Sequence, residues 1–343
     1  MNLTTTYLGF SLRSPLVVSA SPLSASIDNI KQMADMGASA VVLFSFFEEQ
    51  VQAEQQKLNA HTFQPLATPA EIQGLFGASH RFRADLDGYL SHIRKAKESV
   101  SIPIIASLNC TSPGTWMDFA QRIEEAGADA LELNIFSIPT DIDATAAQIE
   151  DRYIRLVKMV KGKVNIPVAV KLSPFFTNLA HFARNLDQAG AGALVLFNRF
   201  YEPDLDPRTL QIQPSVALST SQDLRLPMHW IALLHKRIRA DLAATGGIHT
   251  AEDVVKLLMV GAKVTMLASV LFQNGISYLR ILEQNLVAWM EQNNYESVSA
   301  LHGLVSRFNS RNPSAFERAQ YIRAIGSLPS INSNSQEESA SGG

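Results

Sequence analysis

Two runs of small residues in the last third of the chain have the chemistry of an anion site. One is Ala243-Ala244-Thr245-Gly246-Gly247-Ile248, and the other is Val264-Thr265-Met266-Leu267-Ala268-Ser269, which follows Gly261-Ala262-Lys263. Each reads as a strand that ends in small residues just ahead of a helix. Glycine lets backbone N–H groups approach a ligand closely, and helix N-termini carry unpaired donors at the positive end of a dipole. Gly246, Gly247, Ala268 and Ser269 together read as a phosphate cradle, although a single Gly-Gly pair is also an ordinary turn. Lys171 closes the apolar run Val168-Ala169-Val170. A cation ending a buried strand is costly unless an anion faces it or its stem carries the charge to solvent. Asn109, Asn134 and Asn198 sit at or just past the ends of three other apolar runs. Their amides offer a donor and an acceptor each, and asparagine is equally a turn former.

The elements that must position these groups are short Val/Ile/Leu/Ala runs at 16–19, 40–44, 104–108, 130–134, 168–171, 193–197, 241–244 and 264–267, alternating with helical patterns. Near-continuous hydrophobicity in each run predicts parallel strands covered by helices on the outside. Eight of them predict an α/β fold of the (β/α)8 TIM-barrel class, in which the loops after strands seven and eight are a frequent phosphate site. Met36-Gly37-Ala38, Ala126-Gly127-Ala128, Ala189-Gly190-Ala191 and Val260-Gly261-Ala262 each precede a strand, as expected where glycine ends a helix. Tyr7-Leu8-Gly9-Phe10 reads as a hairpin plugging the bottom of the barrel. Residues 45–85 and 199–228 read as insertions after strands two and six, at the rim where long loops carry function. The expected organisation is a single domain over 1–328 and a disordered Ser/Asn/Glu/Gly tail over 329–343.

With 343 residues, 46% of them hydrophobic, the chain is long enough to bury a large core. A net charge of −3 and the lack of a basic block argue against nucleic acid as a partner. The single cysteine, Cys110, excludes an intrachain disulfide and a cysteine-ligated cluster. No apolar run reaches the ~18 residues of a membrane span, so no membrane partner and a cytoplasmic location are expected. No Gly-x-Gly-x-x-Gly fingerprint for a dinucleotide is present, and no metal site is indicated.

The order of motifs resembles the cytosolic dihydroorotate dehydrogenases over about residues 3–295. The resemblance rests on Ser14-Pro15-Leu16-Val17-Val18-Ser19-Ala20-Ser21-Pro22, Glu132-Leu133-Asn134-Ile135-Phe136-Ser137, Val170-Lys171-Leu172-Ser173-Pro174, Asn198 and Thr245-Gly246-Gly247-Ile248. It implies an FMN-dependent oxidoreductase that oxidises a CH–CH bond of dihydroorotate or a related reduced substrate, with a role in pyrimidine biosynthesis. On that resemblance Ala20 and Ser21 lie against the flavin ring, and Lys171 faces its N1/C2 edge. Gly246, Gly247, Ala268 and Ser269 hold the phosphate. Asn134 and Asn198 hold flavin and a planar dihydropyrimidine-like substrate. Ser137 is the base that removes a proton from C5 while a hydride leaves C6. The partners are then a small molecule and an unassigned electron acceptor, with a homodimer left open.

The sequence also departs from that pattern. Phe44 stands where the family keeps a lysine, the segment Gly74-Leu75-Phe76-Gly77-Ala78-Ser79-His80 lacks the family's substrate-loop asparagine, and Ile138-Pro139 replaces a Pro-Asn pair. Arg81, Arg83 or Arg199 would then have to supply a cation. Two other readings follow from the same residues. One is a catalytically diverged interaction subunit whose site is lined by Phe44, Phe46, Phe47 and Phe136. The other is a phosphate-binding lyase or isomerase that uses Lys171 as a Schiff base.

Overall fold

The computed structural model describes residues 1–48, 85–109, 113–135, 138–199, 203–213 and 217–313. The expected tail at 329–343, most of the first insertion, Cys110, Phe136 and Ser137 lie outside them. Within them the chain begins with an antiparallel hairpin, β1 (Thr5–Tyr7) and β2 (Phe10–Leu12), whose turn places Leu8 and Gly9 at positive φ. Eight parallel strands then close a barrel: β3 (Leu16–Val18), β4 (Ala40–Phe47), β5 (Ile104–Asn109), β6 (Ala130–Asn134), β7 (Val168–Leu172), β8 (Ala193–Leu196), β11 (Asp241–Thr245) and β12 (Val264–Leu267). The eight predicted runs are these eight strands, with ends displaced by at most a residue or two except in β4, which runs on to Phe47. A second hairpin, β9 (Asp204–Asp206) and β10 (Gln211–Gln213), occupies the segment read as the second insertion, and a helix already begins at Arg225.

Alternation along the strands divides the apolar side chains into two cores. Val17, Ala40, Val42, Ile105, Ala130, Ala169, Ala193, Ala243 and Val264 point inward, and Tyr7, Leu8 and Leu12 of the first hairpin pack against them. The predicted plug is therefore present, and Asp241 fixes it by accepting a hydrogen bond from the Leu8 amide at 2.9 Å. The larger core lies between barrel and helices. Gly37, Gly127, Gly190 and Gly261 all have positive φ at the helix-to-strand turns, as expected.

The helix that follows β11 (Ala251–Val260) carries the Gly-Gly loop ahead of its first turn. Its far end is clamped by two histidines. The His235 ring lies against Gly261 and Gly303, where added Cβ atoms would overlap its ring nitrogens, and the His302 ring is 5.0 Å away. Burial, then Lys263 and His235, hold the His302 pKa down at about 4. Burial, then Lys236 and Lys263, also lower that of His235. In the unfolded chain these imidazoles take up protons near 6.5, so between about 6.5 and 4 the unfolded state binds more protons and stability is lost as the pH is lowered. Between pH 7 and pH 5 the urea midpoint of the parent should therefore drop further than that of a His302→Asn variant. Equal drops would show that the clamp does not contribute.

Candidate functional site

Above the apolar plug, the inward positions turn polar. Two residues on from Val17, Ile105, Ala130, Ala169 and Ala243 come Ser19, Ser107, Glu132, Lys171 and Thr245, all buried. On β4 the register slips between Val42 and Ser45, so that Ser45, not Phe44, faces this interior. The consequence overturns one expectation. Phe44 packs edge-on against Tyr89 at 5.2 Å, and Phe46 stacks on the same ring, both in the outer core. Neither ring lines the site, and the aromatic lining expected from Phe44 and Phe46 does not form. Tyr89 anchors the slipped segment through its hydroxyl, whose one proton is shared between the carbonyls of Phe44 and Ser107, each at 3.1 Å.

The polar interior is hydrogen-bonded across four strands. Ser45 Oγ and Ser107 Oγ are 2.8 Å apart, Asn134 Nδ2 donates to Ser45 Oγ at 3.2 Å, and Asn198 Nδ2 donates to Asn134 Oδ1 at 2.7 Å. Lys171 Nζ lies 3.8 Å from Glu132 Oε1, with 8% of the lysine side chain and none of the glutamate exposed. Ser107 Oγ donates to the same carboxylate oxygen at 3.4 Å, and Oε2 has no hydrogen-bond partner among the described residues. Burial pushes the Glu132 carboxyl up from its ordinary value, against the opposing pull of Lys171 and Ser107.

This interior opens into a cavity of about 390 Å³ at the carboxyl ends of the strands, where a (β/α)8 barrel builds its active site. The cavity brings together Ala20, Lys171, Asn198, Gly246, Gly247, Ala268 and Ser269 from the residues singled out by sequence. Asn134 joins them through Asn198. Ser21 starts a 3₁₀ turn behind Ala20, with its Oγ buried and unpartnered among the described residues. Asn109 ends β5, buried. Ser137, Arg81, Arg83 and the 74–80 segment lie outside the described residues; Arg199 lines the cavity.

The anion loops differ from expectation in one respect. The helix after the Gly-Gly loop turns the donors just ahead of it onto its own residues: the His249 and Thr250 amides both donate to Asp253 Oδ2 at 3.1 Å, in a capping box with Thr250. What remains open is the turn itself. Gly246, at φ +89°, has nothing within 4 Å of where a Cβ would stand, while Gly247, at φ +73°, lies against the backbone of Asp223 and Leu224. Ser269 opens a short helix (Ser269–Asn274) that has no side-chain cap. A strap formed by Ser219 to Leu224 ties the two loops together. Ser219 Oγ accepts from the Gly247 amide at 3.2 Å and meets His249 Nε2 at 3.2 Å, and the Ser219 amide donates to Ser269 Oγ at 3.1 Å.

Sequence reasoning gives no role to Glu132, Ser45, Ser107 or Ser219. Glu132 has a visible signal: a lone carboxylate in Ala130-Leu131-Glu132-Leu133-Asn134, two residues from the asparagine and so on the same strand face. Ser45 is hidden by the slip in β4, and Ser219 lies in a loop with no periodicity.

A family model described as dihydroorotate dehydrogenase matches residues 84–290. The chain is similar to the catalytic subunit of dihydroorotate dehydrogenase B (NAD(+)) from Thermoplasma acidophilum, 24% identical over 313 residues that cover 89% of this chain and 99% of the relative. The corresponding subunit from Methanothermobacter thermautotrophicus is 24% identical over 310 residues, 88% of this chain and 98% of the relative. A putative dihydroorotate dehydrogenase A (fumarate) from Aeropyrum pernix is 28% identical over 217 residues, 61% and 70% of the two chains.

Proposed function

The chain belongs to the dihydroorotate dehydrogenase family of oxidoreductases, and on that premise we propose that it binds FMN in the cavity above the barrel and oxidises dihydroorotate or a closely related dihydropyrimidine. The observation that carries this reading is the convergence on one cavity of Lys171 from β7 with the Gly246-Gly247 turn and Ser269. FMN presents two kinds of negative charge, a phosphate and, once reduced, the N1 edge of its ring. The residues fit both. Gly246 leaves open space at the turn for a phosphate, Lys171 brings a buried ammonium to the same cavity for the ring edge, and the Ser21 Oγ beside Ala20 has no polar partner among the described residues. Bound FMN supplies the acceptor for a hydride. The chain's own part is to hold the ring through Lys171 and Asn134, to orient a planar substrate through Asn198, and to take a proton at Ser137. Family membership sets aside the Schiff-base reading of Lys171. The outward rings of Phe44 and Phe46 take two of the four aromatic side chains expected to line the site away from it, which weakens the interaction-subunit reading.

The test is the absorbance spectrum of the purified protein, before and after anaerobic addition of dihydroorotate. A yellow protein with one FMN per chain that bleaches on addition supports the reading, and a colourless preparation that takes up no added FMN overturns it. Ser269→Glu should weaken FMN binding about 10²-fold or more, because a carboxylate at hydrogen-bonding range from a phosphate repels it by a few kcal/mol, about 4 at an effective dielectric of 20. Ser269→Ala, which removes the hydroxyl without adding charge, should weaken it far less. Among the described residues no helix is long and apolar enough to cross a membrane.

A further inference from the structure

We infer that Glu132 is a positioning residue that acts on the cofactor through Lys171, and that its charge sets how strongly the site prefers reduced over oxidised FMN. The inference rests on the FMN reading above. Glu132 projects from the strand beside Lys171 into the barrel interior and is wholly buried. Among the described residues a single hydroxyl donor reaches it, Ser107 Oγ at 3.4 Å, and its second oxygen has no partner. A carboxylate built for stability in such a place would be surrounded by donors, because burying an ion pair costs more in lost hydration than the attraction returns unless its remaining lone pairs are satisfied. Here Glu132 is incompletely satisfied, and its cationic neighbour, Lys171, also lines the cavity.

The physical consequence concerns where the lysine's charge is spent. Against oxidised FMN, whose ring is neutral, Lys171 is free to lean on Glu132. Against reduced FMN, negative near N1, the same ammonium is shared between two anions. Glu132 therefore competes with the reduced ring for Lys171 in a poorly hydrated interior, where charges are weakly screened. Its removal should favour the reduced state. Removal of Lys171 should do the reverse.

The experiment compares FMN affinity in the oxidised and the dithionite-reduced states for the parent, Glu132→Gln, Lys171→Gln and the double variant. Glutamine keeps the volume and can still meet Ser107. The expected result is a tenfold or greater rise in the reduced-over-oxidised affinity ratio for Glu132→Gln, about 30 mV in a two-electron potential. The ratio should fall for Lys171→Gln, and in the double variant the effect of Glu132→Gln should be much smaller than in the parent background. Thermal melting of the same four proteins without FMN supplies a readout independent of the cofactor: Lys171→Gln should cost more stability in the parent than in the Glu132→Gln background. An unchanged affinity ratio in Glu132→Gln, or strictly additive effects in both cycles, overturns the inference. If the parent binds no FMN, the proposed function fails while the melting cycle still judges the pair. Should Glu132→Gln not fold, Ser107→Ala takes its place. Loss of that hydroxyl donor disfavours the ionised carboxylate and should move the ratio the same way by a smaller factor; no movement counts against the inference.

Discussion

Replacing Ser137 by alanine should slow the reduction of bound FMN by dihydroorotate, or by the dihydropyrimidine the protein prefers, about 10²-fold or more while leaving the FMN in place. A positioned general base contributes roughly 10²–10⁴ to a proton abstraction. The residue follows Asn134 by three positions, just beyond the end of β6, where the Ile135 carbonyl is pinned by the Tyr153 hydroxyl at 3.1 Å. That end of the strand faces the carboxyl rim, and Asn134 is bonded to Asn198, which lines the cavity. A serine is a poor base by itself, so its contribution depends on a route for the proton. Single-turnover absorbance separates the outcomes. A slow bleach with full flavin content supports the role, loss of flavin points to a binding role, and a rate equal to that of the parent removes Ser137 from the chemistry.

The barrel is legible in the sequence because each strand carries its own evidence. Buried on both faces, these segments must be apolar over four or five residues, and the helices between them must end, which Gly37, Gly127, Gly190 and Gly261 accomplish at positive φ. The interior polar layer is only half legible. Lys171 and Asn134 stand out because charge and amide interrupt apolar runs, and Glu132 obeys the same rule yet reads from sequence only as part of a motif. The failure at Phe44 has a different cause. A strand's side chains alternate strictly until a residue is inserted, and one irregularity between Val42 and Ser45 exchanges inside for outside from there on. Counting from the start of β4 therefore gives the wrong face to Phe44. No local composition announces the slip; it is fixed by contacts distant in sequence, the Tyr89 hydroxyl on the Phe44 carbonyl and the Ser24 hydroxyl accepting from the Phe44 amide at 2.7 Å. The strap at 219–224 is invisible for the same reason, since its place is set by Ser269 and Gly247 rather than by its own pattern.

Gly246 and Gly247 should respond to alanine in opposite ways, although they are adjacent and both at positive φ. At Gly247 a Cβ would overlap the Leu224 nitrogen and stand 2.7 Å from the Asp223 carbonyl carbon. Those are backbone atoms, which cannot rotate aside, so the strap must lift. Lifting it breaks the bond from the Gly247 amide to Ser219 Oγ and the bond from the Ser219 amide to Ser269 Oγ, and it withdraws Asp223 from the cavity wall. Strained backbone costs about 1–3 kcal/mol and overpacking a similar amount, so Gly247→Ala should destabilise the protein by about 3 kcal/mol or more and release FMN as well. Gly246→Ala adds a methyl group to open space and carries the backbone cost alone, about 1–2 kcal/mol. Because that open space lies on the cavity, its methyl group should instead obstruct the phosphate. Melting temperature and FMN affinity measured on both variants distinguish the two cases. Gly246→Ala should lose affinity out of proportion to stability, and Gly247→Ala should lose stability even without FMN. Retention of full FMN affinity by Gly246→Ala would mean that the phosphate is not held at this turn.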